Sequence, residues 1–508
     1  MIPTWQGYRE SSYPDRVFLG FPVMPGDHYQ YASLMRQAQE DASLLMKNEF
    51  TTEPQRGTFI LLYYWVIGRV SHWTGASLIT LWEAFRLMGG FLYIIMFWVF
   101  TQRFFQQRGR RVFATVLFGF AGGLDWILEL LRVSSPPGVS MGLPYDYFWN
   151  WCTFGTMLVA TWVWPALMML AACHIMLSRS RLRDAALFVL LPVVWLTHHH
   201  SAMVAYLMFG LAPLMPLVVA AARLERLPWA RARELFRLVL PALLSLVLAA
   251  AYVFWARGDT VFKLTAEATF AWTPFYSVWW YPLAYGILFP LAYFGIRDVA
   301  KEGSNAGHLL LAWLSAAFFL SVNPLAGGVK YQYLLFPPMV ILAARGLYLL
   351  IDKVEAFKRT AKPGPIAAGF LILLFVNAPL SLFKGVAPSS FLPASEIEAM
   401  KWLHGQPEGI VLSSPGSGNI LPWLSGKKVY AGHWFMTLNL NKKTREVAYF
   451  FAPQAPLSTK REILRQSQAR YVYYGGYETA LGEVDTGLPL RKGYEKDGVS
   501  IYEVVPIR

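Results

Sequence analysis

Residues 79–111 read ITLWEAFRLMGGFLYIIMFWVFT followed by QRFFQQRGRR, an apolar run that ends in a cluster of arginines. About 20 apolar residues are needed to cross a hydrocarbon core of about 30 Å. Arg and Lys clusters beside such a run are typical of loops on the cytoplasmic side of a membrane. The stretch therefore predicts a transmembrane helix, and the same pattern recurs along the chain.

The composition places the whole chain in the same class. Of its 508 residues, 55% are hydrophobic, 16% aromatic and 15% charged, a balance that excludes a soluble globular protein of this length. The net charge of +14 does not indicate a nucleic-acid partner, because the Lys and Arg residues lie in short clusters between apolar runs. We expect an α-helical polytopic membrane protein that contacts membrane lipid and binds no nucleic acid.

The apolar runs predict about ten spans. They lie near 79–101, 112–131, 152–177, 184–200, 202–222, 236–256, 276–296, 307–322, 333–351 and 365–385. Every second connection is basic and is therefore predicted to be cytoplasmic. The basic residues of these five connections are, in chain order, Arg103, Arg108, Arg110 and Arg111; Arg179, Arg181 and Arg183; Arg223, Arg226, Arg231, Arg233 and Arg237; Arg297 and Lys301; and Lys353, Lys358, Arg359 and Lys362. The intervening connections are predicted to face outward.

The same alternation places both ends of the chain outside the cell, in a multi-pass protein of the plasma membrane. Residues 57–75 are apolar for only about 16 residues and contain Arg69 and His72, so they predict an amphipathic helix on the outer surface. An outward N-terminus without a preceding span predicts a further span upstream of Met1. In the alternative interpretation, residues 57–75 cross the membrane and Asp27 is cytoplasmic.

Strand and helix patterns alternate after residue 388. The segments GIVL, KKVY, ARYVYY and VSIYEVV predict strands, and SEIEAMKWLHG, KTREVAYFF and TKREILRQS predict helices. This alternation favours a small α/β domain. The predicted domains are an extracytoplasmic N-terminal segment with surface helices (1–78), a multi-span domain (79–387) and a C-terminal extracytoplasmic α/β domain (388–508).

Ionisable side chains gather at the predicted outer ends of the spans, where such groups mark sites of chemistry or transport. Asp27 lies in PGDHY, Glu53 precedes Pro54 in a turn, and a run of histidines ends a span. The competing interpretations are that Asp27 is the N-cap of a helix beginning at Tyr29 and that Glu53 is a solvated turn residue. The histidines are either hydrated at the interface, or at most two of them ligate a metal ion together with Asp27. The histidines are His198, His199 and His200.

Further polar residues lie at the same predicted face. Lys330 and Tyr331 belong to GGVKYQY, immediately before a span, where a cation suits a lipid phosphate or simply snorkels to the headgroups. Arg86 follows Glu83 by three residues, the spacing of a helical ion pair. Asp125 lies near the outer end of the predicted span 112–131, and Asp146 lies in the outward segment that follows it; both are candidates for shaping an acceptor groove.

The arrangement resembles the type C membrane glycosyltransferases. The resemblance lies in Phe18-Leu19-Gly20 ahead of Gly26-Asp27-His28-Tyr29-Gln30-Tyr31, a helix with Arg36 and Gln37, then Glu53-Pro54, a surface helix, many spans, and a terminal domain reading GNILPWLSGKKVYAGHWFMTLNLNKK at 418–443. It implies transfer of a sugar from a polyprenyl-phosphate carrier to a glycan, lipid or protein acceptor at the outer face, in a role in the cell envelope.

In that interpretation Asp27 is the catalytic base or holds a divalent metal ion, and Glu53 is a second acid of the site. Transfer also needs positive charge or hydrogen-bond donors for the departing phosphate, which Lys330 and the histidine run are expected to supply. Two other classes stay open: a non-catalytic membrane subunit, or degenerate family member, that binds a partner through its C-terminal domain, and a lipid or solute transporter with polar groups at the bilayer midplane.

Overall fold

The computed structural model describes residues 2–11, 15–22, 24–124, 153–158, 160–272, 278, 281–323, 328–357 and 386–505. The helices of the first half are α1 (Ile2–Glu10), α2 (Pro25–Glu40), α3 (Leu62–Thr74), α4 (Leu78–Thr101), α5 (Arg108–Phe120), α6 (Thr153–Leu158), α7 (Ala160–Met176), α8 (Arg183–Thr197), α9 (His199–Leu211), α10 (Met215–Ala222) and α11 (Trp229–Ala256). A short strand, β1 (Val17–Phe18), precedes α2.

The second half begins with helices and ends in a mixed region. Its helices are α12 (Thr260–Trp272), α13 (Tyr281–Tyr285), α14 (Leu288–Glu302), α15 (Asn305–Val322), α16 (Phe336–Phe357), α17 (Ala394–His404), α18 (Pro415–Gly418), α19 (Leu421–Ser425), α20 (Leu440–Phe451), α21 (Leu457–Ser467) and α22 (Gly476–Thr479), with 3-10 turns at Gly328–Leu334 and Pro388–Ser390. Its strands are β2 (Phe391–Leu392), β3 (Ile410–Leu412), β4 (Lys428–Val429), β5 (Ala469–Tyr474), β6 (Leu490–Lys496) and β7 (Val499–Val504).

The chain forms two compact units, each built from separate parts of the sequence. Unit 1 comprises Met1–Leu81, Phe254–Ala271 and Lys384–Arg508, and unit 2 comprises Trp82–Val253 and Trp272–Phe383. The N-terminal segment and the C-terminal α/β region thus belong to the same unit. The domain boundaries at residues 78 and 387 stay predictions.

A five-stranded sheet forms the C-terminal part of unit 1, in the order β4-β3-β5-β7-β6. Strands β4, β3 and β5 are parallel, whereas β7 and β6 join as antiparallel neighbours. Parallel strands need crossover connections, and helices α18, α19, α20 and α21 lie between these strands in the chain. The predicted sheet-containing region after residue 388 is confirmed.

The N-terminal segment completes unit 1 by direct contacts with this region. Strand β1 pairs antiparallel with β2, and the backbone N–H of Val429 donates to the Glu49 carbonyl at 3.0 Å, at the outer edge of β4. The Arg36 guanidinium on α2 donates from Nε to the Pro422 carbonyl at 2.9 Å and from Nη2 to Glu49 at 2.6 Å. Arg36 is buried, so the charges of this pair compensate each other away from water.

Helix α3 corresponds to the predicted amphipathic surface helix. Its 13 residues give a length of about 20 Å, too short for a hydrocarbon core of about 30 Å. It packs on α2 so closely that a Cβ on Gly68 would overlap the Met35 carbonyl oxygen. Helix α3 belongs to unit 1, and its location on the membrane surface stays a prediction.

Unit 2 is helical and contains most of the long apolar helices. In the described part of the chain, α4, α11 and α15 are long and apolar enough to cross a membrane, and α9 with α10 would form a fourth span bent by 59°. These helices support a membrane protein, while the count of about ten spans stays a prediction. The last predicted span, 365–385, lies outside the described residues.

Two glycines allow the backbones of α14 and α16 to touch. A Cβ on Gly295 would overlap the Leu342 carbonyl oxygen, and a Cβ on Gly346 would overlap the Leu291 carbonyl oxygen. Small residues at such crossings permit close packing, which replaces the hydrophobic effect as the force between helices in lipid. The ion pair between Arg345 and Asp298, at 2.6 Å, joins the same two helices.

We expect Gly295→Ala to destabilise the protein by about 1–3 kcal/mol, because the helices must separate to admit the methyl group. The matched control is Gly210→Ala on α9, where a Cβ meets no atom within 4 Å and alanine favours the helix. Thermal unfolding of both variants in the same detergent measures the difference. Equal melting temperatures would contradict the close crossing.

Candidate functional site

Asp27 lies in the first turn of α2. The helix begins at Pro25, and its N-cap is Met24, which has left-handed backbone angles (φ 46°, ψ 45°) and makes no side-chain capping bond. The backbone N–H of Asp27 donates to the Met24 carbonyl at 3.1 Å. The alternative in which Asp27 caps a helix beginning at Tyr29 is therefore wrong, and the carboxylate is available for other contacts.

Those contacts come from the C-terminal part of unit 1. His433 Nε2 lies 3.2 Å from Asp27 Oδ1, and the Trp434 indole N–H donates to the same oxygen at 3.2 Å. The His433 side chain is fully buried, whereas 21% of the Asp27 side chain is exposed. The three residues thus form a cluster, here called the Asp27 clamp, in which His433 is buried and Asp27 and Trp434 are partly exposed.

The surroundings of Asp27 act on its pKa in opposite directions. Burial of the carboxyl raises the pKa, but the hydrogen bond and charge of His433, the hydrogen bond from Trp434 and the charge of His28 outweigh burial and lower the pKa below its ordinary value. Asp27 also lies at a helix N-terminus, where negative charge is favoured. The carboxylate is therefore ionised at neutral pH.

The segment that carries His433 and Trp434 is fixed by hydrogen bonds to the N-terminal segment. Thr437 Oγ1 donates to the Phe50 carbonyl at 2.8 Å and accepts from the Gly432 N–H at 3.0 Å. Asn48 Nδ2 donates to the Met436 carbonyl at 2.7 Å. The positions of the two donors to Asp27 thus depend on the packing of residues 48–50 against this loop.

A second link reaches the first turn of α2 from the loop after β3. Asn419 Nδ2 donates to the Gly26 carbonyl at 3.1 Å. Gly418 is needed beside it, because a Cβ there would overlap the Ala431 carbonyl oxygen. The turn that presents Asp27 is therefore held from two sides by the α/β region.

Glu53 is engaged in an ion pair. Both of its carboxylate oxygens accept from Lys443 Nζ, at 2.8 and 3.1 Å, and Thr51 donates to it as well. Lys443 is buried and lies 5.2 Å from the centre of the Tyr430 ring. Partial burial raises the pKa of Glu53, but the Lys443 and Thr51 hydrogen bonds outweigh it and lower the pKa. This carboxylate stabilises the contact between α20 and the N-terminal segment.

Unit 1 also contains a polar cavity of about 390 Å³. Its lining includes Arg36 and Glu40 from the second half of α2, together with Glu49, His404 and Lys427. Lys427 is buried and donates to Glu408 at 3.2 Å. Neither Asp27 nor Glu53 lines this cavity, so it is distinct from the Asp27 clamp.

The histidine run lies in unit 2 at the break between α8 and α9. His198 is the N-cap of α9, and its Nδ1 accepts from the Ser201 N–H at 3.3 Å and contacts Ser201 Oγ at 2.8 Å. The same nitrogen lies 3.4 Å from the Tyr333 hydroxyl. His199 and His200 follow in the first turn of α9, with ring centres 3.9 Å apart.

The 3-10 turn at Gly328–Leu334 brings two more predicted residues to the histidines. The ring of Tyr331 lies 5.6 Å from that of His200, and its hydroxyl contacts Met203 Sδ at 3.4 Å. Lys330, in the same turn, is half-buried. Lys330, Tyr331 and the three histidines, all predicted to bind substrate, thus lie together within unit 2. No pattern in the sequence indicates a role for Ser201, Trp162 or Tyr333. In the structure the ring of Tyr333 stacks on that of Trp162, with centres 5.3 Å apart.

The remaining predicted residues have other surroundings. Arg86 is buried and pairs with Glu83 at 2.6 Å, and its Nη1 donates to the Met157 carbonyl at 3.1 Å. The pair has the three-residue spacing that the sequence allowed. Asp125 and Asp146 lie outside the described residues.

The donor set around Asp27 does not fit a metal centre by itself. Asp27 Oδ1 already accepts from the Trp434 indole, which can only donate. Within the described residues there is no group of three or more His, Cys, Asp or Glu side chains placed to hold a metal ion. Mg²⁺ is often held by one or two carboxylates together with waters and substrate phosphates, so a metal-binding role of Asp27 stays a prediction.

Comparisons with known proteins identify the fold. No protein-family model matches the chain, and no curated protein matches it. Several solved structures match the chain. One is the Archaeoglobus fulgidus oligosaccharyltransferase tethered with an acceptor peptide containing the NVT sequon. Its sequence is 15% identical to this chain, the TM-score is 0.53, and the match covers 93% of this chain and 68% of the oligosaccharyltransferase.

Two further structures agree. The oligosaccharyltransferase AglB from Archaeoglobus fulgidus, in complex with an inhibitory peptide and a dolichol-phosphate, is 12% identical with a TM-score of 0.53, over 96% of this chain and 71% of that one. ArnT from Cupriavidus metallidurans, bound to undecaprenyl phosphate, is 14% identical with a TM-score of 0.51, over 94% of this chain and 93% of that one. The predicted resemblance is confirmed: the chain has the fold of the type C membrane glycosyltransferases.

Proposed function

We propose that this protein transfers a sugar from a polyprenyl-phosphate carrier to an acceptor hydroxyl, with Asp27 as the catalytic base. The observation that carries the proposal is the geometry of the Asp27 clamp: an ionised carboxylate with one oxygen held by two donors and part of its surface exposed. An ionised carboxylate can accept the proton of an attacking hydroxyl group. The acceptor is a glycan, a lipid or a protein.

The proposed transfer forms one bond, breaks one bond and moves one proton, and Asp27 accepts that proton. The acceptor hydroxyl donates a hydrogen bond to Asp27, and its oxygen forms a bond to the anomeric carbon of the sugar. The bond from that carbon to the phosphate oxygen of the carrier breaks, and its electron pair leaves with the phosphate. Asp27 takes the hydroxyl proton, and its lowered pKa ensures that it is ionised when the acceptor binds.

The solved relatives support the class of carrier. Structures with the same fold bind dolichol-phosphate in one case and undecaprenyl phosphate in another. Both ligands are polyprenyl chains that end in phosphate. The long apolar helices of this chain, α4, α11 and α15, suit a substrate that is itself embedded in lipid.

We assign the phosphate of the carrier to Lys330 and the histidine run of unit 2. The half-buried Lys330 lies in the same turn as Tyr331, whose ring is 5.6 Å from His200. A cation in partly buried surroundings attracts phosphate more strongly than a cation in water. Donors such as imidazole N–H groups stabilise the charge that develops on the leaving phosphate.

The predicted roles of Glu53 and Arg86 in the site have less support from their contacts. Glu53 as a second acid and Arg86 as a substrate contact stay predictions, and their ion pairs with Lys443 and Glu83 favour structural roles. An outer location for the Asp27 clamp follows from the alternating basic connections of the sequence and belongs to the same proposal.

Asp27→Asn should reduce sugar transfer by more than about tenfold, or roughly 1.4 kcal/mol of barrier. The amide keeps the shape and an accepting oxygen but loses the charge and the ability to take a proton. The measurement is transfer of labelled sugar from a polyprenyl-phosphate donor in liposomes. Asp41→Asn, an exposed position at the other end of α2, is the control and should transfer normally. Full activity of Asp27→Asn would remove Asp27 from the mechanism.

Lys330→Ala should raise the apparent KM for the lipid-linked donor about tenfold and change the KM for the acceptor little, since removal of a partly buried cation weakens phosphate binding. Lys301→Ala, an exposed lysine of unit 2, is the matched control. Initial rates at varied donor and acceptor concentrations separate the two constants. A change confined to the acceptor would refute this assignment of Lys330.

A further inference from the structure

We propose that His433 and Trp434 are positioning residues that select Oδ2 of Asp27 as the oxygen that takes the proton. The inference rests on the proposed function, because it specifies how the same carboxylate acts. Neither residue stood out in the sequence as a catalytic candidate. Both belong to the loop that follows β4, and both place a nitrogen 3.2 Å from Asp27 Oδ1.

The Trp434 and His433 nitrogens both donate a hydrogen bond to Oδ1 of Asp27. The Trp434 indole N–H can only donate, so Oδ1 must accept from it. His433 Nε2 faces the same oxygen and therefore carries its proton on that nitrogen. Within the described residues, Oδ2 accepts no hydrogen bond from the protein, whereas Oδ1 accepts two. The carboxylate thus has one occupied and one open oxygen, and the open one is left for an acceptor hydroxyl.

The environment of His433 fixes its orientation. Its side chain is fully buried, and it packs against the rings of Phe50 and Phe435 with centres 5.8 and 4.4 Å away. Its Nδ1 is buried and has no hydrogen-bond partner within the described residues. A proton on that nitrogen would bury an N–H without an acceptor, at a cost of about 1–3 kcal/mol. Proton placement on Nε2, toward Asp27, is favoured.

The residues of the Asp27 clamp come from distant parts of the sequence. Asp27 comes from α2, and its two donors come from residues 406 and 407 positions later in the sequence. Since the loop that holds them is itself bonded to Phe50 and Asn48, a shift of the α/β region would move the donors. A reacting group displaced by about 1 Å loses about 100-fold in rate, so this packing controls the geometry of transfer.

The first test follows protonation of Asp27 without measuring transfer. A carbodiimide with an amine modifies protonated carboxyl groups, and mass spectrometry of the full-length protein after digestion gives modification of Asp27 against pH. Trp434→Phe removes one donor from the carboxylate, so the pKa of Asp27 rises and the midpoint moves to higher pH. The titratable groups that lower the pKa of Asp27 are His433 and His28, and both are retained in this variant.

Further variants separate the effect of the donor from a loss of packing. His433→Phe removes the second donor and should also move the midpoint upward, whereas His433→Gln retains a side-chain N–H and should shift it less. Trp5→Phe, at an exposed tryptophan of unit 1, is the matched control and should leave the midpoint unchanged. Thermal unfolding in detergent identifies any variant that has not folded.

The second test uses transfer rates. Trp434→Phe should lower kcat by about tenfold with little change in KM for donor or acceptor, and should move the acidic limb of the pH profile upward together with the modification midpoint. Unchanged midpoints and unchanged kcat in folded Trp434→Phe and His433→Phe would overturn the positioning role. If the wild-type protein transfers no lipid-linked sugar, the proposed function fails, while the modification midpoints still decide whether the clamp controls Asp27.

Discussion

Two N–H groups that converge on one oxygen of Asp27 link the beginning of the chain to its end. The donors belong to His433 and Trp434 in the loop after β4, and the acceptor belongs to the first turn of α2. A buried carboxylate without donors would be driven toward its neutral form. Here the hydrogen bonds from His433 and Trp434 help to outweigh the effect of burial on the pKa of Asp27. Asp27 therefore keeps its negative charge although burial alone would favour the neutral carboxyl group.

The rest of unit 1 makes this convergence possible. The pairing of β1 with β2, the buried contacts of Arg36 with Glu49 and Pro422, and the ion pair of Glu53 with Lys443 all join the N-terminal segment to the α/β region. Removing one member of a buried ion pair leaves an uncompensated charge, which is strongly destabilising. These contacts therefore determine how the α/β region is placed on α2, and the Asp27 clamp depends on that placement.

The sequence predicted the parts of the fold that depend on local patterns. Long apolar runs predicted α4, α11 and α15, and alternating patterns predicted β3, β5, β7 and their helices, although β6 was missed because LRKGYEK is mostly polar. The start of α2 was misjudged: Pro25 is a signal for the first helical position, but an N-cap such as Met24 in a left-handed conformation has no sequence signature.

The candidate site could be predicted only in part. Asp27 was identified from its place in the sequence, and Lys330, Tyr331 and the histidines were predicted to bind substrate. His433 and Trp434 were missed because their contact with Asp27 joins residues more than 400 positions apart, which no local pattern reveals. Glu53 was chosen as an acid in a turn, and its partner Lys443 lies 390 positions away.

The measurement that tests the central claim most directly is the sidedness of unit 1 in intact cells. Single cysteines at Ser458, an exposed position of unit 1, and at Ser180, an exposed position between α7 and α8, are introduced into a chain whose two native cysteines are replaced by alanine. A membrane-impermeant thiol reagent should label Ser458→Cys in intact cells and Ser180→Cys only after lysis. The reverse pattern would place Asp27 and its clamp in the cytoplasm and would contradict transfer at the outer face.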